Sequence, residues 1–396
     1  MSFDYPSMQS WQEELYKDLH RHPELSFEEV RTNGVISREL TSFGYEVQEI
    51  GGGIVGVLQN NAANDAGPVV LFRADTDALP VSEDTGLDYA SEVPGVMHAC
   101  GHDLHISCGL GAARWLAENR DSWSGTYIAL FQPAEEIAGG ARAMVEDGLV
   151  AKVPRPDVAL AQHVMPAKLG QLQTVAGASM SQAASLRVVI YGKGSHGSMP
   201  HLSIDPVVLA ASIVLRLQTI VARELAPGEF GVVTVGAIQA GAKSNVIPDR
   251  AELLLNVRTY SNETHEKILS AIRRIVEGEC AVAGSPRSPE IEIYDEFPLT
   301  DNDAVVTERV TQAFEQYFGA EQVVEQKKST GSEDFSFIPN AWNTPYLYWH
   351  LGGFVPGTEV ANHNPRFAPV MQPTLRIGTE AILVAALEFF RKVTDN

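Results

Sequence analysis

Three short apolar runs set the strongest limit on how this chain folds: VVLF at 69–72, YIALF at 127–131 and VALA at 158–161, each followed at once by polar residues. A strand with one wet face alternates apolar and polar residues. An unbroken apolar run is covered on both faces, as in the parallel sheet of an α/β domain. The stretch LHISCGLGAARWLAEN at 104–119 has the length and spacing of a helix between two such strands. Apolar spacing through Leu15, Leu19, Val35, Ile36 and Leu40, broken at His22 and Pro23, predicts two more helices over 9–44. The expected fold class is α/β, an αβα arrangement on a mostly parallel sheet, with ligands bound at the carboxyl ends of its strands.

Hydrophobic cores stop growing near roughly 250 to 300 residues, so a chain of 396 residues predicts two domains. Beyond about 183 the texture changes to LRVVIYGKG, VVTVGAIQAG, RAELLLNVRTY and EIEIYDEF around helix-like runs at 205–223 and 263–282. Strand, helix, strand, strand, helix, strand is the order of a split βαβ, ferredoxin-like α+β layer. It is read as a lid spanning 183–296, inserted into a discontinuous catalytic domain of 1–182 and 297–396. The helical run 302–318 and PYLYW at 345–349 return to the style of the first part.

A net charge of −21 argues against proteins that grip nucleic acid or an anionic membrane through many phosphate contacts. A small molecule is the expected partner. The sequence shows no run near the roughly 20 apolar residues of a membrane span, and MSFDYPSMQSWQEELYKDLH has neither a basic start nor an apolar export segment. A cytoplasmic enzyme is expected. Cys100, Cys108 and Cys280 are too few for a disulfide framework.

The densest chemical signal is MHACGHDLH, which gathers His98, Cys100, His102, Asp103 and His105. Thiolate and imidazole two residues apart across a glycine can face one transition-metal ion, and a following helix turns its positive end toward the thiolate. A polar helix cap with incidental histidines is the plainer reading. Glu135 and Glu136 follow the second apolar run. Adjacent carboxylates at a strand end diverge, so one can bind metal while its neighbour handles a proton, although a Glu pair is commonly just a solvated loop. With His163 and His363 the potential ligands become five, Cys100, His102, Glu136, His163 and His363, from four chain regions, a number that suits two ions. Asp75 and Asp77 can orient a ligating imidazole or simply form a turn. His196 and His201 lie on a Gly-rich loop, where an imidazole can meet a developing oxyanion. Asn245 and Arg258 can hold a substrate carboxylate or be structural.

Together these segments closely resemble the metal-dependent aminoacylase and carboxypeptidase family, in its branch of hippurate hydrolases, N-acetyl amino acid deacetylases and indole-acetyl-amino-acid hydrolases. The resemblance runs through LHRHPELS (19–26), FRADTDALP (72–80), MHACGHD (97–103), QPAEE (132–136), SHGSMPH (195–201), SNVIPD (244–249), GSEDF (331–335) and HNPRF (363–367). It implies two divalent ions per subunit, Zn or Mn with Co or Ni as alternatives, on Cys100, His102, Glu136, His163 and His363, with Cys100 bridging. It implies Glu135 as general base and then acid. It matches His196 to a lid histidine often supplied across a homodimer, and Asn245 and Arg258 to substrate-binding positions of the lid. The activity implied is hydrolysis of N-acyl amino acids. Alternatives are a dipeptidase or carboxypeptidase of the same family, a thiol hydrolase with Cys100 as nucleophile, and a binder that has lost the reaction.

Overall fold

The computed structural model describes residues 3–61 and 67–390. Two helices, α1 (Gln9–Arg21) and α2 (Val30–Ser42), open the chain on either side of the break at His22 and Pro23. An antiparallel hairpin of β1 (Glu46–Ile50) and β2 (Gly53–Asn60) follows, then β3 (Val69–Asp75), α3 (His102–Glu118), β4 (Gly125–Gln132), β5 (Val158–Lys168) and β6 (Leu172–Thr174).

These strands join Tyr346–Phe354 and Val323–Glu325 in an eight-stranded sheet, ordered β1, β2, β4, β3, β5, Tyr346–Phe354, β6, Val323–Glu325. The four central strands are mutually parallel. Their apolar runs are buried, and helices α1, α3, Ala304–Phe318 and Met371–Leu387 pack into the same core. Phe72 on β3 meets Trp349, which meets Phe314 of the Ala304–Phe318 helix.

The sheet is wider than the apolar runs foretell. The β1–β2 pair escaped notice although its signal is short-range: Gly51 and Gly52, with φ of 56° and 83°, form a two-residue turn between two strand-like runs, and left-handed residues match the strand twist there. β5 also does not end at VALA. It continues to Lys168 with His163 inside it, because Tyr346–Phe354 goes on pairing with it beyond the end of β3.

The described chain divides into two compact units. One comprises Met1–Ser179, Thr300–Lys327 and Asp334–Asn396, and the other Met180–Leu299 with Lys328–Glu333. The second unit has a four-stranded antiparallel sheet ordered Gly231–Ala240, Arg250–Thr259, Gln182–Tyr191, Glu290–Phe297, with helices Pro206–Leu217 and Asn262–Ala283. Leu186, Ile190, Ile213, Leu255, Ile272 and Val276 lie in its core. The short return Lys328–Glu333 was not assigned to this unit from sequence. Pro206–Glu224 is long and apolar enough by composition to cross a bilayer, a stretch that the reading of apolar runs does not single out. Here it is a helix that buries Leu209, Ile213 and Leu217 in the unit's core and carries Arg216, Arg223 and Glu224.

Candidate metal centre

The five nominated donors and Glu135 all belong to the first unit. Cys100 and His102 flank Gly101, the N-cap of α3, whose φ is 87°. A Cβ at Gly101 would lie 2.4 Å from Val164 Cγ1, so glycine is required both by the left-handed backbone and by the close approach of β5. Cys100 therefore sits at the positive end of a 17-residue helix. Burial, and next the charge of Glu136, raise its thiol pKa above the ordinary value. Such a thiol is a poor free nucleophile and a good ligand once a cation displaces its proton.

His102 is the first residue of α3 and completely buried. Its Nδ1 is 3.3 Å from Asp77 Oδ1, an ion-pair contact rather than an aligned hydrogen bond. Its Nε2 is 3.8 Å from Glu136 Oε1 and 4.0 Å from Glu135 Oε2. Burial works against the charged ring, but Asp75 and Asp77 outweigh it and hold the His102 pKa well above the usual value. His163 donates from Nδ1 to Val164 O at 2.7 Å, leaving Nε2 as its lone-pair atom 3.4 Å from Cys100 Sγ. Burial and then His105 keep His163 neutral, with its pKa well below the usual value. His363 adopts φ 66° and donates its backbone N–H to Ala99 O at 2.8 Å. Its Nε2 is 3.3 Å from Glu136 Oε2, and contact with Cys100 and then Glu136 raises its pKa to about 10.

The residues fit a metal by their own chemistry. Among the described residues, His102 Nε2 and Glu136 Oε1 are buried without a hydrogen-bond partner, a costly state for polar atoms that a shared cation relieves. Ligand atoms of Cys100, His102 and Glu136 lie within 4.8 Å of one another, and a mixed N/O/S set suits a transition metal. Asp75, His102, His105 and His163 are equally close. His105, however, is already committed: Nδ1 faces Asp75 Oδ1 at 2.5 Å and Nε2 accepts from Val164 N at 2.8 Å. Asp75 thus orients His105, which is not among the five donors, while Asp77 stands beside His102.

Asp77 also holds the backbone of the glutamate pair. It accepts Glu135 N and Glu136 N, both at 3.1 Å, and the Ser26 hydroxyl at 2.6 Å. Ala134, one residue earlier, has φ 48° and donates its N–H to Glu29 Oε1 at 2.8 Å. A Cβ on Gly140 would lie 1.5 Å from Pro133 O, so the loop closes on itself only with glycine there. Burial raises the Glu29 pKa to about 7.

Several residues of this centre carried no legible signal. Arg73 is fully buried and reaches Asp75 Oδ2 at 2.8 Å, Gln132 Oε1 at 2.9 Å and Asp334 Oδ1 at 3.4 Å, with Phe335 under its guanidinium. Asp334 also accepts Gln132 Nε2 at 2.6 Å and Ala141 N at 3.1 Å, tying β3, β4 and the Glu135 loop together. His20 of α1 binds Asp103, in the first turn of α3, at 2.6 Å and Glu83 at 3.2 Å. Burial opposes the charge of His20, but Asp103 and Glu83 carry its pKa up to about 9.

His196, Asn245 and Arg258 belong to the second unit. His196 is exposed on a two-residue strand that pairs with Val246 and Ile247, and its Nδ1 meets the Ser198 hydroxyl at 2.7 Å. Asn245 precedes that partner strand and accepts Gly197 N on its carbonyl at 2.8 Å. Arg258 lies on the strand Arg250–Thr259, where its guanidinium donates to Asn256 Oδ1 at 2.9 Å and Ser332 Oγ at 3.2 Å and also to Thr330 O.

The sequence profile described as peptidase family M20/M25/M40 matches residues 71–388. Thermostable carboxypeptidase 2 of Saccharolobus solfataricus is 34% identical over 395 residues, covering 98% of each chain. N-acetylcysteine deacetylase of Bacillus subtilis is 35% identical over 376 residues, covering 95% of this chain and 94% of its own. The crystal structure of a dinuclear metal-binding M20 peptidase from Bacillus subtilis is similar with a TM-score of 0.81 at 31% identity, covering 97% of this chain and 99% of that one. The chain belongs to peptidase family M20/M25/M40.

Proposed function

We propose that this chain hydrolyses the amide bond of N-acyl amino acids in a metal-dependent reaction, releasing a carboxylic acid and a free amino acid. The observation that carries the reading is the division of labour within one carboxylate pair. Glu136 lies inside the donor set with Cys100 and His102, and Glu135 stands at its edge, 4.0 Å from His102 Nε2. Cys100, His102, Glu136, His163 and His363 would hold two divalent ions, Zn or Mn first and Co or Ni as alternatives. Divalent ions held there supply Lewis-acid polarisation of water and of the amide carbonyl.

The remaining work falls to the chain. Glu135 takes the proton of the attacking water and returns it to the departing amine. His196 of the lid donates to the oxygen that gains charge at the amide carbon. Asn245 and Arg258 hold the substrate carboxylate. Asp77 supports the reaction by fixing both Glu135 and His102. The lid is residues 183–296, within a catalytic domain of 1–182 and 297–396.

Two copies would join through their lids, and the resemblance matches His196 to a lid histidine often supplied across such a dimer. Support comes from the helix Pro206–Leu217, which leaves Val208 66% and Leu215 73% exposed, and from Gly231–Ala240 as an edge strand. Sedimentation velocity should then give twice the 43.0 kDa chain mass. A single species at the chain mass contradicts this. The three free cysteines, all buried, suit a reducing cytoplasm.

The testing experiment is a panel of N-acetyl, benzoyl, indole-acetyl and fatty-acyl amino acids beside dipeptides, assayed for released amine with Mn and with Zn. The expected result is turnover of an N-acyl amino acid that chelation abolishes and added metal restores. Preferential release from peptides would move the substrate toward the carboxypeptidase alternative. Binding without released amine, or turnover that survives chelation but not thiol alkylation, would overturn the reading.

A further inference from the structure

We propose that Glu29 is a positioning residue for Glu135: from the start of α2 it fixes the backbone of Ala134 and so sets where the neighbouring proton-carrying side chain leaves its loop. The inference rests on the reading of Glu135 given above. Three successive N–H groups, on Ala134, Glu135 and Glu136, are each accepted by a carboxylate, at 2.8, 3.1 and 3.1 Å. Consecutive amides turned to one side form an anion-binding concavity. Here the anions are the chain's own Glu29 and Asp77.

The concavity depends on Ala134, a fully buried non-glycine residue at φ 48°, a backbone state that persists only where the surroundings over-determine it. They do so from both sides. Glu29, 2% exposed, takes the Ala134 N–H, and the Ala134 carbonyl accepts Gly139 N and Gly140 N, both at 3.1 Å. Asp77 divides its contacts among Ser26, His102 and the two Glu amides. The Glu29 side chain accepts from the loop backbone at Ala134. Glu29 therefore acts on the loop backbone at Ala134, while Asp77 keeps its hold on Glu136 N.

The test compares Glu29→Ala and Glu29→Gln with the parent, all Mn-loaded, on the most rapidly cleaved amide of the panel. It also follows amide hydrogen exchange across residues 130–140 and the bound Mn per chain. With the Ala134 N–H left unpaired, Glu29→Ala should lower kcat on the order of 100-fold, the effect of an ångström-scale misplacement. KM and bound Mn should hold, and exchange at 134–136 should quicken at least about 10-fold. Glu29→Gln keeps an acceptor oxygen and should restore both slow exchange and most of kcat.

Parental kcat and exchange in Glu29→Ala would overturn the proposal. So would exchange raised equally throughout the unit, or Glu29→Gln failing as badly as the alanine variant. If Glu29→Ala does not fold, Glu29→Asp, one methylene shorter, must show the same pattern in smaller degree, and full parental behaviour there would equally overturn it. A parent that cleaves no panel amide counts against the amide-hydrolase reading, while the exchange readout still decides the role of Glu29.

Discussion

Glu135→Gln should abolish most turnover while leaving the protein folded and metal-loaded. The substitution preserves shape and leaves the backbone N–H that Asp77 holds at 3.1 Å, so the loop has no reason to move. What it removes is the ability to accept a proton from water and pass it to the leaving nitrogen. General acid–base groups contribute roughly 10²- to 10⁴-fold, and one residue serving both halves of the reaction belongs at the upper end. The expected result is a kcat lower by about 10³-fold or more, with KM and bound metal near parental, read by steady-state kinetics and elemental analysis. A Glu135→Gln enzyme that cleaves its preferred amide at the parental rate would remove Glu135 from the mechanism.

The largest stability effect should come from Arg73→Met. The guanidinium is fully buried between Asp75 and Asp334, 2.8 and 3.4 Å away. Methionine fills a similar volume but leaves two buried carboxylates without their cation, and breaking a buried pair from one side costs about 3–5 kcal/mol. Asp75 also orients His105, and Asp334 holds Ala141 N, so the damage should reach the metal centre as weaker metal retention. Arg73→Lys should recover only part of the loss, because one ammonium cannot reproduce the planar fork that spans β3, β4 and Asp334. Chemical denaturation of the metal-free proteins checks this, and a shift of a few tenths of a kcal/mol would show that the carboxylates find other partners.

Side-chain chemistry of the centre was legible where residue type itself is rare or paired. A thiol and imidazoles in MHACGHDLH, two adjacent glutamates and the histidines of distant segments suggest donors without any geometry; the structure brings Cys100, His102 and Glu136 together, with His163 and His363 in the same unit. The central parallel strands were legible because double-sided burial leaves unbroken apolar runs. What stayed hidden depends on contacts far apart in sequence. Nothing local gives Arg73 away until Asp334, 261 positions later, lies beside it, nor Glu29 until Ala134 arrives. The split of His102 and His105 into a bare donor and a fully engaged ring turns on Asp75 and a backbone amide of β5, which no local pattern encodes. The β1–β2 hairpin differs, since its Gly51–Gly52 signal was present and went unread.

The absent side chain of Gly101 bears on which metals the proposed donor set would accept. Val164 fills the space a Cβ would need, 2.4 Å away, and Val164 directly follows His163, whose Nε2 faces the Cys100 sulfur. The gap between sulfur and imidazole is therefore gauged by one carbon framework resting on another, independently of any ion placed between them. In the proposed donor set, ionic radius would then become a criterion for admission, because the cradle is cut to size before a guest arrives.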